Sequence, residues 1–148
     1  MKKLFVILAL VLIEFSAHAQ NTNNLLNNYI SVLDALVSSN GKAASEIFNT
    51  FYTNVKKEGD FQQKTELLKA SENFHKAGNN INKQRDAFNE VSLVMWELVK
   101  SSEKVDGSVY YQYCPMKKAY WLSREKKIKN LFYGSAMLTC GKVVETKK

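Results

Sequence analysis

The chain has 148 residues, a formal charge of +7, two cysteines, two histidines and one proline. That length fits a single domain able to bury a core without covalent staples. Basic residues recur along the whole chain without a nucleic-acid motif, which argues against a nucleic-acid binder. No glycine-rich phosphate loop, paired carboxylates or protease signature is present, so a binding module is expected and not an enzyme.

Residues 1–19 read as a cleavable signal peptide. Lys2 and Lys3 form a basic start, "LFVILALVLI" is an apolar run short for a bilayer span, and Ala17 and Ala19 set up cleavage before Gln20. The expectation is a periplasmic or secreted protein with no integral membrane segment after cleavage. Residues 20–148 are then one helical domain.

Residues 22–102 carry helical periodicity. Leu25, Leu26, Tyr29, Ile30, Leu33, Leu36 and Val37 recur at spacings of three and four, and Asn40-Gly41 reads as the stop. Ala44, Ile47, Phe48, Phe51, Tyr52 and Val55 form a second stripe, ending at Lys56, Lys57 and Gly59. A third helix is expected over "QQKTELLKASENFHKA". Asn80 is the expected N-cap of a fourth, whose buried face holds Ile81, Phe88, Val91, Met95, Leu98 and Val99, with only the stem of Arg85. Four such helices with short polar turns predict a mainly α fold: an antiparallel four-helix bundle.

The pattern changes over residues 108–146, rich in cysteine, methionine and aromatic side chains. "VYYQYC" and "MLTCGKVVET" read as two short strands, pairing across "KKAYWLSREKKIKNLFYGSA" as a small β-hairpin/loop appendage that brings Cys114 and Cys140 together. The basic run within that connection reads first as a solvated face and second as a contact for an anionic lipid surface or an acidic partner.

This segment presents sulfur as Cys-Pro-Met and then Met-x-x-Cys-Gly. Cys114 and Met116 fall on one side of an extended backbone, and Met137 and Cys140 on one face of a helical turn. Two thiolates and two thioethers form a soft donor set suited to copper(I) or silver(I), while zinc has little use for methionine. Trp121 stands among aromatics able to exclude water. His75, the histidine expected to remain after cleavage, borders an apolar helical stripe and is a possible additional ligand. The alternative is a Cys114–Cys140 disulfide, favoured in oxidising compartments, with the methionines as packing. It would close a loop of about 27 residues and contribute roughly 3.5 kcal/mol in the chain-entropy model.

The string "YYQYCPM…AYWLS…I.N..YG..M..CG" resembles the C-terminal half of the domain-of-unknown-function family 3347. "YISVLDALVSSNGKAA" and "QRDAFNEVS" resemble its helical part. Cys114, Pro115, Met116, Trp121, Leu122, Ser123, Asn130, Tyr133, Gly134, Met137, Cys140 and Gly141 match the family pattern, while Leu131 stands where the family usually has proline. The resemblance implies an exported, mostly helical domain, found alone or joined to periplasmic adaptors of copper and silver efflux systems. By that resemblance the expected partner is an efflux adaptor or copper-handling protein.

Overall fold

The computed structural model describes residues 22–103 and 105–148; the expected signal peptide lies outside them. The described chain is mainly helical, with four helices and a small three-stranded antiparallel sheet at its C-terminal end. The helices are α1 (22–37), α2 (Gly41–Lys57), α3 (Lys64–Lys76) and α4 (Ile81–Ser101). The strands are β1 (Val109–Cys114), β2 (Ala119–Ser123) and β3 (Lys142–Lys147), ordered β2-β1-β3.

Helix boundaries follow local chemistry. α1 ends in a Schellman turn, with Asn40 N–H donating to Ala35 O and Ser39 N–H to Leu36 O. The left-handed residue there is Ser39 (φ 57°), not Gly41. Arg85 sustains it, donating from Nη2 to the Leu36 carbonyl at 3.1 Å and to Ser39 Oγ at 2.9 Å. The guanidinium is therefore buried along with its stem, and it offsets the negative end of the α1 dipole. Asn40 starts α2 instead, its side chain accepting from Ala43 N–H, and Asn80 caps α4 in the same way through Lys83 N–H.

Gly41 is required for another reason. A Cβ there would stand 2.6 Å from the Asn79 carbonyl oxygen, so the start of α2 presses on the turn before α4. Gln84 ties that corner, donating to the carbonyls of Gly41 and Gly78 and to Ser45 Oγ.

Aromatic side chains fill the helical core. Phe48 stacks on Phe74 and Tyr29 on Phe88, with ring centroids 3.9 and 4.6 Å apart. A second stack, Trp96 on Tyr111 on Tyr120, joins α4 to the sheet.

The sheet differs from the expected hairpin. "VYYQYC" pairs first with "AYWLS" through a tight turn, and "KVVETK" adds on its other side. Residues 134–137, part of which was expected in a strand, form a 3-10 turn. β2 is an edge strand, and its outward amides meet the helices. Tyr120 N–H donates to Asn89 Oδ1 at 2.8 Å, and Leu122 N–H to the Tyr29 hydroxyl at 3.0 Å. Ser92 Oγ donates to the Phe88 carbonyl, so the 2.6 Å contact between Tyr29 and Ser92 runs with the tyrosine donating.

Burial pushes the Tyr29 hydroxyl well above the ordinary tyrosine range, outweighing its hydrogen bonds to Ser92 and Leu122. Tyr111 shifts the same way, through burial first and then the charges of Tyr120, Glu145 and Glu97. A tyrosine whose folded pKa exceeds its unfolded value of about 10 stabilises the fold fully below that pH, and the stability is lost as pH rises towards the folded value. Tyr29→Phe is expected to lower stability at neutral pH by about 1–3 kcal/mol, because the Leu122 amide and Ser92 lose their partner. It is also expected to flatten the alkaline decline. Urea unfolding of both proteins between neutrality and about pH 11 reads both effects.

Candidate metal centre

Cys114 closes β1 and is fully buried. The turn after it is closed by Lys118 N–H donating to the Cys114 carbonyl at 2.8 Å, with Lys118 left-handed (φ 53°). This turn carries Met116 outward, 61% exposed.

Pairing and pleat assign the two faces of the sheet. Tyr111, Tyr113, Tyr120 and Leu122 share the face joined to α4, whereas Gln112, Cys114, Ala119 and Trp121 share the other. The segment 124–141 lies over that second face. Gln112 Nε2 donates to the carbonyls of Glu125 at 3.0 Å and Lys126 at 3.3 Å, and Trp121 meets Phe132 edge to face at 6.1 Å. Trp121 is fully buried.

Asn130 fastens the end of this segment. Fully buried, it donates from Nδ2 to the Cys140 carbonyl, accepts from Phe132 N–H and donates its own amide to the Leu138 carbonyl. Leu131, where the resemblance leads one to expect proline, is fully buried in the core. Its packing holds a loop that a ring would otherwise stiffen. Met137 and Cys140 are joined by the Cys140 N–H to Met137 O bond of 3.1 Å, and both are half-buried.

β1 and β3 then bring the two sulfur motifs to one end of the sheet. Tyr113 pairs with Lys142 in the last rung of the β1–β3 ladder, so Cys114 ends β1 at the same end of the sheet where Cys140 and Gly141 lead into β3. Burial grades outward from Cys114 through Cys140 and Met137 to Met116. No disulfide joins the two cysteines in this structure.

His75 is placed elsewhere. Its Nε2 is 2.8 Å from Asn49 Oδ1, and its ring packs edge-on against Phe48 and Tyr52 of α2. These contacts occupy the imidazole between α2 and α3, and none of them involves the sheet. Among the described residues, no three His, Cys, Asp or Glu side chains form a group able to hold a metal ion. Thiolate and thioether sulfur together are a donor set that fits a soft monovalent ion and not a hard divalent one.

Sequence reading did not single out Gln112 or Asn130, which hold the covering segment. Asn130 was matched only as part of a pattern. An Asx turn through "NLF" was the available signal. Gln112 Oε1 and Trp121 Nε1, on directly opposed strand positions, are buried without a hydrogen-bond partner. They mark polarity inside an otherwise apolar layer.

The architecture defines a mainly helical chain with a three-stranded sheet whose one end carries Cys114 and Met116. Residues 25–107 match the family described as "Protein of unknown function (DUF3347)", and the chain belongs to that family. The match covers the helices and stops short of β1, so the sulfur motifs lie beyond it. No match was found among curated proteins or solved structures. No helix among the described residues is long and apolar enough to cross a membrane.

Proposed function

We propose that this protein is a periplasmic module that binds copper(I) or silver(I) for metal homeostasis or efflux, with Cys114, Met116, Met137 and Cys140 as ligands. The antiparallel pairing of Tyr113 with Lys142 carries the reading, because it gathers Cys-Pro-Met and Met-x-x-Cys at one end of a sheet. The cysteines would supply thiolate charge. The methionines would supply neutral sulfurs, which release an ion by exchange more readily. Met116, the most exposed of the four, would be the ligand a receiving protein meets first. Trp121 and the segment over it would keep water from the inner side. The helices, read as an antiparallel bundle, would serve as the scaffold. An efflux adaptor or copper-handling protein is the partner this role calls for, and the role requires no catalysis.

Anaerobically reduced protein is expected to take up about one copper(I) in competition with a chromophoric chelator. Met137→Ala combined with Cys140→Ser is expected to lower affinity by about a hundredfold or more, since losing a ligand costs at least as much as losing a supporting partner. Equal competition by both proteins would remove the ligand assignment.

The second reading is a disulfide-stapled interaction domain, and the same strand pairing favours it by ending β1 at Cys114 where Cys140 and Gly141 lead into β3. It requires that protein isolated under oxidising conditions present no titratable thiol and that chelators leave its melting temperature unchanged.

A further inference from the structure

Sorting charge by structural unit changes the picture of an evenly basic chain. Residues 22–103 hold nine basic and ten acidic side chains, whereas residues 105–148 hold nine basic and three acidic. The excess positive charge of the described residues therefore sits on the sheet and its covering segment.

Several of these lysines gather near the sulfur-bearing end. Lys118 lies in the β1–β2 turn, and Lys142 opens β3 opposite Tyr113. The backbone of Lys126 and Lys127 is drawn over β1 by Gln112, two residues from Cys114. All four are exposed, and no ion pair among the described residues engages them. Lys117, in the same turn, is spent on Asp86 at 2.7 Å.

Large apolar side chains are exposed among these lysines. Among the described residues the exposed large hydrophobics are Leu93, Met116, Leu138 and Val144, and Met116 and Leu138 (36%) belong to this end. Aliphatic tips among lysines suit a lipid headgroup layer, where the tips enter the acyl boundary and the lysine stems snorkel. A protein interface is enriched in aromatics, methionine and arginine and depleted in lysine, so the four lysines here weigh against a protein partner. Trp121 and Tyr111 are buried, and Tyr113 and Tyr120 half-buried, so lysine and not aromatic surface prevails.

We propose that this end of the sheet, through Met116, Leu138, Lys118, Lys126, Lys127 and Lys142, docks on the surface of an anionic lipid bilayer. The attraction is electrostatic with a shallow apolar insertion, and it does not depend on a bound metal.

The test is co-sedimentation of residues 20–148, which carry the whole described core, with vesicles of phosphatidylglycerol and phosphatidylcholine against phosphatidylcholine alone. Binding is expected only to the anionic vesicles and should weaken as salt screens the surface. Lys118→Gln, Lys126→Gln and Lys127→Gln together should reduce it about a hundredfold. Leu138→Ser should reduce it by about tenfold. No binding, equal binding to neutral vesicles, or indifference to salt and to the three lysines would overturn the proposal. Equally tight binding to soluble polyglutamate, unaffected by Leu138→Ser, would overturn it in favour of an acidic protein partner. Copper(I) affinity measured on the same variants separates this result from the metal reading, since none of the substituted residues is a proposed ligand.

Discussion

Trp121→Ala is expected to destabilise the protein by about 3–5 kcal/mol, enough to use up much of the stability of a domain this size. The ring is fully buried between the sheet and its covering segment, meets Phe132 edge to face, and comes near Gly141 and Ile128. Removing it leaves a cavity with sheet on one side and an irregular segment on the other, a site that can collapse only by moving that segment. Asn130 and Gln112 would still hold their carbonyl partners, so the loss should concentrate between residues 128 and 141. Chemical denaturation gives the magnitude, and amide exchange gives the place. A loss below about 1 kcal/mol would mean that the covering segment packs independently of the ring.

Gly141→Ala is expected to cost about 3 kcal/mol by a different route. Gly141 has φ of 144°, a conformation side chains rarely adopt. A Cβ there would lie 2.9 Å from the Tyr113 carbonyl oxygen and 3.1 Å from the Trp121 ring. The carbonyl belongs to a strand residue paired with Lys142, so it cannot retreat without opening the β1–β3 ladder. Relief must come from Cys140 and the start of β3. Thermal melting measures the cost. In the metal reading, copper(I) affinity should fall in step, although no ligand has been changed. A variant that melts like the parent would show that β3 enters by another path.

The helical part was largely readable from the sequence because each helix presents one buried stripe and has separable ends. Asn80 announced α4 as an N-cap, and the stripe from Phe48 to Val55 runs through α2 as expected. Ser39 was not readable as the turn residue, because its left-handed conformation is sustained by Arg85, which is distant in sequence. β2 was hidden for a related reason. Helices cover one of its faces and residues 124–141 the other, so Trp121, Leu122 and Ser123 are all buried and the alternation that marks a half-exposed strand is absent. Lysines on both sides made the stretch look like a basic surface.

At the candidate site, the sequence indicated that the stretch ending at Cys114 would pair with the one following Cys140, and β1 with β3 provides that pairing, with Cys140 just ahead of β3. What it did not indicate was the gradient in exposure from Cys114 to Met116, which depends on the covering segment. His75 looked available as a possible additional donor because it borders an apolar helical stripe that could have faced the C-terminal segment. In the fold it is held by Asn49, Phe48 and Tyr52.

The sheet has two rims, and they are not equivalent. Along β2, the Tyr120 and Leu122 amides are consumed by Asn89 and Tyr29, so that rim is sealed against a fourth strand. Among the described residues β3 pairs only with β1, and its outer rim has no strand beside it; Lys142 stands exposed at one end, while at the other the Lys147 ammonium is held by the Val99 and Lys100 carbonyls of α4. Any extended peptide that lengthens this sheet must therefore join beside β3, immediately downstream of Cys140.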